Sequence, residues 1–203
     1  MPTLVAQPQP NTLAINLNGL VAKITDEEFL ELCRNNADLR MEMTKEGDLI
    51  IMPPTGGITS GINFSLVVRL GVWAEKDGTG KGFESNALFV LPNGAKRMPD
   101  MSWIKLERWN KLTEEQKKSF PPICPDFVVE LRSPSDSIKD LQDKMEEYVE
   151  NGAQLGWLID PIQKKVFVYR PNVPMEELDR PTAISGEPLL KGFKLDLKPY
   201  FSG

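Results

Sequence analysis

An α+β domain, with a central mixed β-sheet flanked by helices, is the fold class that the sequence predicts. Three observations predict it. Ile62, Leu66, Leu70 and Trp73 recur at helical spacing between Ile58 and Ala74, as expected of a long helix packed on a sheet. Phe127 to Leu131 is a short run rich in Val and Phe, the composition of a buried strand. Along the chain the segments alternate as helix, strands, helix, strands, helix, strands.

Residues 1–22, rich in Pro, Gln and Asn, read as an N-terminal arm ordered only against another element or subunit, and residues 23–203 as a single domain. Thr25-Asp-Glu-Glu28 matches a capping box that opens a short helix through about Arg34. Arg40 to Met43 and Asp48 to Met52 flank Lys45-Glu-Gly47 as a hairpin, which Pro53-Pro-Thr-Gly-Gly57 ends. After the long helix, closed by Lys76-Asp-Gly-Thr-Gly80, Gly82 to Leu91 and Met98 to Ile104 flank Pro92-Asn-Gly94 as a second antiparallel pair. Lys105 to Pro122 is a polar, partly helical connection. The strand at Phe127 runs into an amphipathic helix; Leu155 to Asp160, Lys165 to Tyr169 and Phe193 to Leu197 are the remaining expected strands.

A chain of 203 residues with 40% hydrophobic and 26% charged residues is ordinary globular composition. No apolar run approaches the roughly 18 residues of a membrane span. Met1 to Asn18 lacks a signal-peptide pattern, so the cytoplasm is the expected location. Histidine is absent and there are two cysteines, Cys33 and Cys124. This excludes the usual Ser/His/Asp and Cys/His machinery and any closed zinc site. Chemistry is left to carboxylates, Lys, Arg, Tyr or a bound cofactor, which points toward oxygen-bound cations such as magnesium. A net charge of -5 argues against a broad basic nucleic-acid surface. Lys96, Arg97, Lys105, Arg108, Lys111, Lys117 and Lys118 crowd one region, read as a solvated surface diluted by Glu107, Glu114 and Glu115.

Two motifs fail on inspection. Gly78-Thr-Gly-Lys-Gly82 lacks the earlier glycine and the following Ser or Thr of a phosphate loop. Gly57-Ile-Thr-Ser-Gly61 is out of step with a nucleophile elbow and has no histidine to activate Ser60. The surviving constellation is acidic. Asp100, after Pro99, stands at the entry to one strand and Glu130 at the end of another, so two carboxylates can converge to hold Mg²⁺ or Mn²⁺. Arg132, two residues on, shares Glu130's face by strand alternation; its structural alternative is an intrastrand partner of Glu130. In the following helix, Lys144 lies at the margin of the stripe formed by Ile138, Leu141, Met145, Tyr148 and Val149. Its structural alternative is a pair with Asp140 one turn earlier. Ser133 is the expected cap of that helix, with Pro134 first and Asp136 on the dipole.

Pro99-Asp100, Glu130-Leu-Arg-Ser-Pro-Ser-Asp136, Asp140 with Lys144 and Tyr148, and Gly156-Trp-Leu-Ile-Asp-Pro161 together resemble the putative restriction endonuclease-like family of bacteria, a branch of the PD-(D/E)XK nuclease superfamily. The resemblance runs from about Thr25 to Phe193. It implies a restriction endonuclease-like fold and a divalent-metal site for phosphodiester hydrolysis, with Asp100 and Glu130 as metal ligands. The superfamily lysine normally stands two residues after the acid, where this chain has Arg132; the resemblance makes Lys144 its surrogate. Glu42 resembles the upstream acid of such sites, against the alternative of a surface strand glutamate. Asp126, after Pro125, is a decoy four residues before Glu130 on the same strand. Many relatives carry a histidine near the start of the long helix, where Asn63 is the nearest polar candidate here.

The function implied is a Mg²⁺- or Mn²⁺-dependent endonuclease acting on DNA, as a homodimer or higher homo-oligomer. Arg132 is then expected to neutralise a phosphate. The rival is a nuclease fold kept as a catalytically silent binding or regulatory module. A third reading makes the arm an oligomerisation surface, whose deletion before Val21 would cost assembly.

Overall fold

The computed structural model describes residues 13–15, as backbone, and 24–201. The remainder of the predicted arm lies outside the described residues.

The elements run β1 (Leu13–Ile15), α1 (Asp26–Asn35), β2 (Arg40–Met43), β3 (Leu49–Met52), α2 (Gly57–Asp77), β4 (Gly80–Glu84), β5 (Phe89–Val90), β6 (Lys96–Arg97), β7 (Met101–Lys105), α3 (Leu106–Trp109), α4 (Glu114–Lys118), β8 (Phe127–Leu131), α5 (Ile138–Glu150), β9 (Leu155–Asp160), β10 (Lys165–Tyr169), β11 (Glu176–Asp179), β12 (Ala183–Ser185), β13 (Lys194–Asp196) and α6 (Lys198–Phe201). They form the expected α+β architecture. A six-stranded mixed sheet, β11-β10-β9-β8-β7-β4, stands beside a five-stranded sheet, β1-β3-β2-β6-β5, and a small β12-β13 pair. Only β8 and β9 among these neighbours run parallel, joined through α5, because parallel strands need a crossover connection.

Local chemistry explains most boundaries. Thr25 and Glu28 make the reciprocal capping box of α1. Gly78 ends α2 in the left-handed region at φ 67, a conformation that costs glycine little. On β9, a Cβ at Gly156 would stand 2.5 Å from Met145 Cε, so its lack of a side chain lets α5 lie close on the sheet.

The second antiparallel pair is present but divided between sheets. A turn at Ser85-Asn86, closed by Ala87 N–H on the Glu84 carbonyl, separates β4 from β5. Pro99 separates β6 from β7, because it has no N–H for a ladder. Thus β5 pairs β6 in one sheet and β4 pairs β7 in the other. Asp100 is left at the point where the chain steps from one sheet to the next.

Side chains of β8 alternate across the six-stranded sheet. Phe127, Val129 and Leu131 pack with Leu66 and Leu70 of α2, Trp157 and the C-terminal segment. Val128 faces Met145 and Tyr148 of α5. A third core joins Phe29 of α1 to Met41, Met43 and Leu49 of the smaller sheet. By the strand's period of two, Glu130 lies on the α5 side.

Candidate active site

Glu130 is 4% exposed at the carboxyl end of β8. Its Oε1 accepts a hydrogen bond from the Tyr148 hydroxyl at 3.0 Å and lies 2.9 Å from Lys144 Nζ. Lys144 reaches it from α5, where Ser137 caps the helix by accepting from Asp140 N–H. The expected cap, Ser133, instead precedes a turn in which its own N–H donates to Asp136 Oδ2. Asp136 therefore binds the loop and not the helix N-terminus. The extra loop length sets α5 so that Lys144 turns inward, away from the Asp140 alternative.

Lys144 Nζ also donates to Glu42 Oε1 at 2.8 Å, across 102 residues of sequence. Glu42 is not a surface glutamate; it is 2% exposed. Met98 N–H donates to its Oε1 at 2.7 Å, and Arg97 Nη1 to its Oε2 at 3.3 Å. Arg97 is held in turn by Glu147 of α5, with Nε to Oε2 at 2.6 Å. The expected solvated basic surface fails here, since Lys96 and Arg97 are 2% and 8% exposed. Lys96 is paired with Asp26 over the Phe29 ring.

Asp100 stands at the sheet junction beside these groups. Leu131 N–H donates to its Oδ2 at 2.8 Å and Asn63 Nδ2, from α2, to its Oδ1 at 3.2 Å. The strand end of β8, the junction before β7, the β2 hairpin and α5 thus bring Glu42, Asp100, Glu130 and Lys144 together. Arg132 is not brought with them. Its Nη1 pairs with Asp160 Oδ2 at 2.7 Å and its Nε donates to the Asp136 carbonyl, so neither the phosphate role nor the pair with Glu130 matches its position. The strand ends at Leu131, and alternation no longer governs the residue after it.

Burial and charge sort the carboxylates. Burial pushes the Glu42 carboxyl up, but Lys144 and Arg97 outweigh it and hold it below the usual range. Burial pushes Glu130 up to about 7, with Lys144 opposing and Asp100 and Glu42 adding repulsion. Asp100 is also raised, by burial, against the Leu131 N–H, Lys144 and Arg40. Burial disfavours a charged Lys144, yet Glu130 and Glu42 keep it protonated above its ordinary range. Lys144 and Arg97 face four carboxylates, Glu42, Asp100, Glu130 and Glu147, so Asp100 and Glu130 hold a negative charge less readily than an ordinary carboxylate.

The cluster opens into a cleft of about 970 Å³ walled by the β2–β3 hairpin, the Pro53 to Thr59 segment and α5. Ten carboxylates but four cations line it, a field that draws in cations. Arg40 is one of the four; its Nη2 donates to the Ser85 carbonyl at 2.6 Å and its buried Nε has no partner. Sequence reasoning missed Arg40, Arg97 and Glu147. Arg40 had a local signal, since it precedes Glu42 by two residues and shares its face in β2.

Among the described residues no group of three or more His, Cys, Asp and Glu side chains forms a metal cluster. Two hard carboxylates nonetheless fit Mg²⁺, which keeps several waters and is commonly bound through one or two carboxylates plus substrate phosphate. Tyr148 and Lys144 both meet Glu130 on Oε1, and Oε2 would be the ligand atom. A divalent cation offsets the burial that raises Asp100 and Glu130 and the repulsion that Asp100 and Glu42 add at Glu130. No described helix is long and apolar enough to cross a membrane.

A family model described as "Uma2: Putative restriction endonuclease" matches residues 26–198. The chain is also similar to a crystal structure titled a "putative nuclease belonging to DUF820" from Anabaena variabilis, with a TM-score of 0.72 and 26% identity, over 87% of this chain and 96% of that one. No curated protein matches.

Proposed function

As the chain belongs to the Uma2 family, described as putative restriction endonucleases, we propose that it is a divalent-metal-dependent nuclease that hydrolyses DNA phosphodiester bonds in the cleft beside Asp100. The observation that carries this reading is the convergence of Lys144 with Glu130 and Asp100, the lysine arriving from α5 and not from the position after the acid. Asp100 and Glu130 would hold Mg²⁺ or Mn²⁺. When bound, such an ion lowers the pKa of a water and offsets phosphate charge.

The chain's own residues supply positioning. A protonated lysine has three N–H donors. Lys144 spends two on Glu42 and Glu130, which leaves the third for a phosphate oxygen or the attacking water. Glu42 is the ionised anchor that keeps this ammonium in the cleft, and Arg97, clamped by Glu147, keeps Glu42 in place. Tyr148 fixes the Glu130 carboxyl through Oε1. Arg40, which lines the cleft and acts by charge on Asp100, takes the phosphate-facing role that Arg132, bound to Asp160, does not fill.

The test is cleavage of supercoiled plasmid by wild-type protein and by Asp100→Ala, each with Mg²⁺, with Mn²⁺ and with chelator. Metal-dependent nicking that vanishes in Asp100→Ala supports the reading. Absence of cleavage by wild type, or equal cleavage by both, would transfer the fold to the binding-module reading.

A further inference from the structure

We propose that the candidate cleft takes a single strand of DNA, its phosphates on the Pro53 to Thr59 wall and its bases against α5, and does not take a continuous duplex. This names the substrate of the nuclease reading above and rests on it. What carries it is that two walls of the cleft differ in charge.

The α5 wall is acidic. Asp136, Asp140, Asp143, Glu146 and Glu150 line the cleft from the loop before the helix and from the helix itself. Asp143 is paired with Lys139, whereas no ion pair among the described residues holds Asp140, Glu146 or Glu150. Lys144 does not answer them, because it is turned inward to Glu42 and Glu130.

The Pro53 to Thr59 wall has no carboxylate. It begins beside Arg40, which pairs across the hairpin with Met52 and lines the same cleft. It ends in the first turn of α2, where a Cβ at Gly56 or Gly57 would meet nothing within 4 Å and no side chain caps the helix. The N–H groups of that turn have no intrahelical acceptor and suit phosphate oxygens. One turn further on, Asn63 donates to Asp100, so this wall leads to the candidate metal ligands.

A duplex and a single strand meet these walls differently. α5 has 13 residues, about 20 Å at 1.5 Å per residue, and that length of duplex carries about 12 phosphate charges at one per 1.7 Å. They form two rows, and both cannot keep to the Arg40 side. One row would lie against the α5 carboxylates, within the roughly 10 Å over which charges act at 0.1 M salt. A single strand avoids this by turning its phosphates to one side and its bases to the other. Unpaired bases also present exocyclic amino groups, which carboxylates accept, as Asp and Glu do from cytosine N4. A cleft of about 970 Å³ has the size that encloses a small ligand, which suits a few nucleotides and not the body of a double helix.

Cleavage by the full chain with Mg²⁺ of an oligo(dC) strand, an oligo(dT) strand and a relaxed linear duplex tests this. Wild type is expected to cut the dC strand at least about 10-fold faster than the linear duplex. It is expected to cut dC about 5-fold faster than dT, since thymine has no amino group. Supercoiled plasmid is still nicked, because negative supercoiling favours unpaired DNA. The double variant Asp140→Ala/Glu146→Ala, at two exposed positions, is expected to lose the preference for dC over dT and to cut linear duplex faster than wild type does. A wild type that cuts linear duplex as fast as single strand, or dT as fast as dC, overturns the proposal and leaves the nuclease reading standing. A double variant that keeps both preferences also overturns it, because α5 then does not face the bases. A wild type that cuts neither the strands nor supercoiled plasmid overturns the nuclease reading and this proposal with it.

Discussion

Asp126 and Glu130 bracket β8, four residues apart and both buried, yet the fold treats them in opposite ways. Asp126 accepts from the Lys105 N–H at 3.0 Å and pairs with Arg108 at 3.1 Å, while its backbone carbonyl accepts from Gln154 and Leu155. It ties the end of β7 to the start of β8. Glu130 meets a lysine and a phenol on one oxygen and is pushed up to about 7 by burial and by neighbouring carboxylates. A carboxylate answered by backbone and a fixed guanidinium is a structural joint, whereas one surrounded by other carboxylates is kept for a ligand.

Four experiments break or sharpen that contrast. The largest effect is expected from Glu130→Gln, which should lower plasmid cleavage by at least about 10³-fold, some 4 kcal/mol of transition-state stabilisation, while circular dichroism stays native. Full retained activity would remove Glu130 from the chemistry. Asp126→Ala should do the reverse: urea unfolding should show a loss of about 2–3 kcal/mol, because the Lys105 N–H and Arg108 lose their partner, with activity per folded molecule preserved. Asp126→Ala protein as stable as wild type would deny the joint.

Third in size is a pH effect in chelator. The folded Glu130 carboxyl, near 7, lies above its ordinary 4.5, so the folded state binds this proton more tightly. The stability it contributes is fully present below about pH 4.5 and is lost as pH rises toward and through 7. Melting temperature of wild type should therefore fall over that window more steeply than that of Glu130→Gln; parallel curves would contradict the raised carboxyl. Smallest is ligand linkage at pH 8. Millimolar Mg²⁺ should raise the wild-type melting temperature by a few degrees, as binding to the folded state alone does, and leave Asp100→Ala unmoved. Equal shifts in both would place the cation elsewhere.

The parts of the fold legible in the sequence are those with local causes. The capping box of α1, the β2–β3 hairpin and the succession β8, α5, β9 follow from turn chemistry and periodicity within a dozen residues. The second antiparallel pair was legible as a pair but not in its division between sheets, which the Ser85-Asn86 turn and Pro99 impose. β11 and β12 carried no pattern of their own; Glu176 to Asp179 becomes a strand through its partner β10, as edge strands do when pairing and not propensity decides.

The candidate site divides along the same line. The sequence by itself determined the residue types: no histidine, a Pro-Asp step at 99–100, an acid ending a buried strand, and a lysine at the edge of an apolar helix stripe. It determined their local placement as well, because alternation and the 3.6-residue turn act over a few residues. Only the tertiary structure decided which charges meet. Lys144 takes Glu42, 102 residues away, over Asp140; Arg97 leaves the surface for Glu42 and Glu147; Arg132 turns from Glu130 to Asp160. The reason is that the energy of an ion pair depends on distance through space and on the water excluded around it, and neither quantity exists until the sheets and α5 are packed.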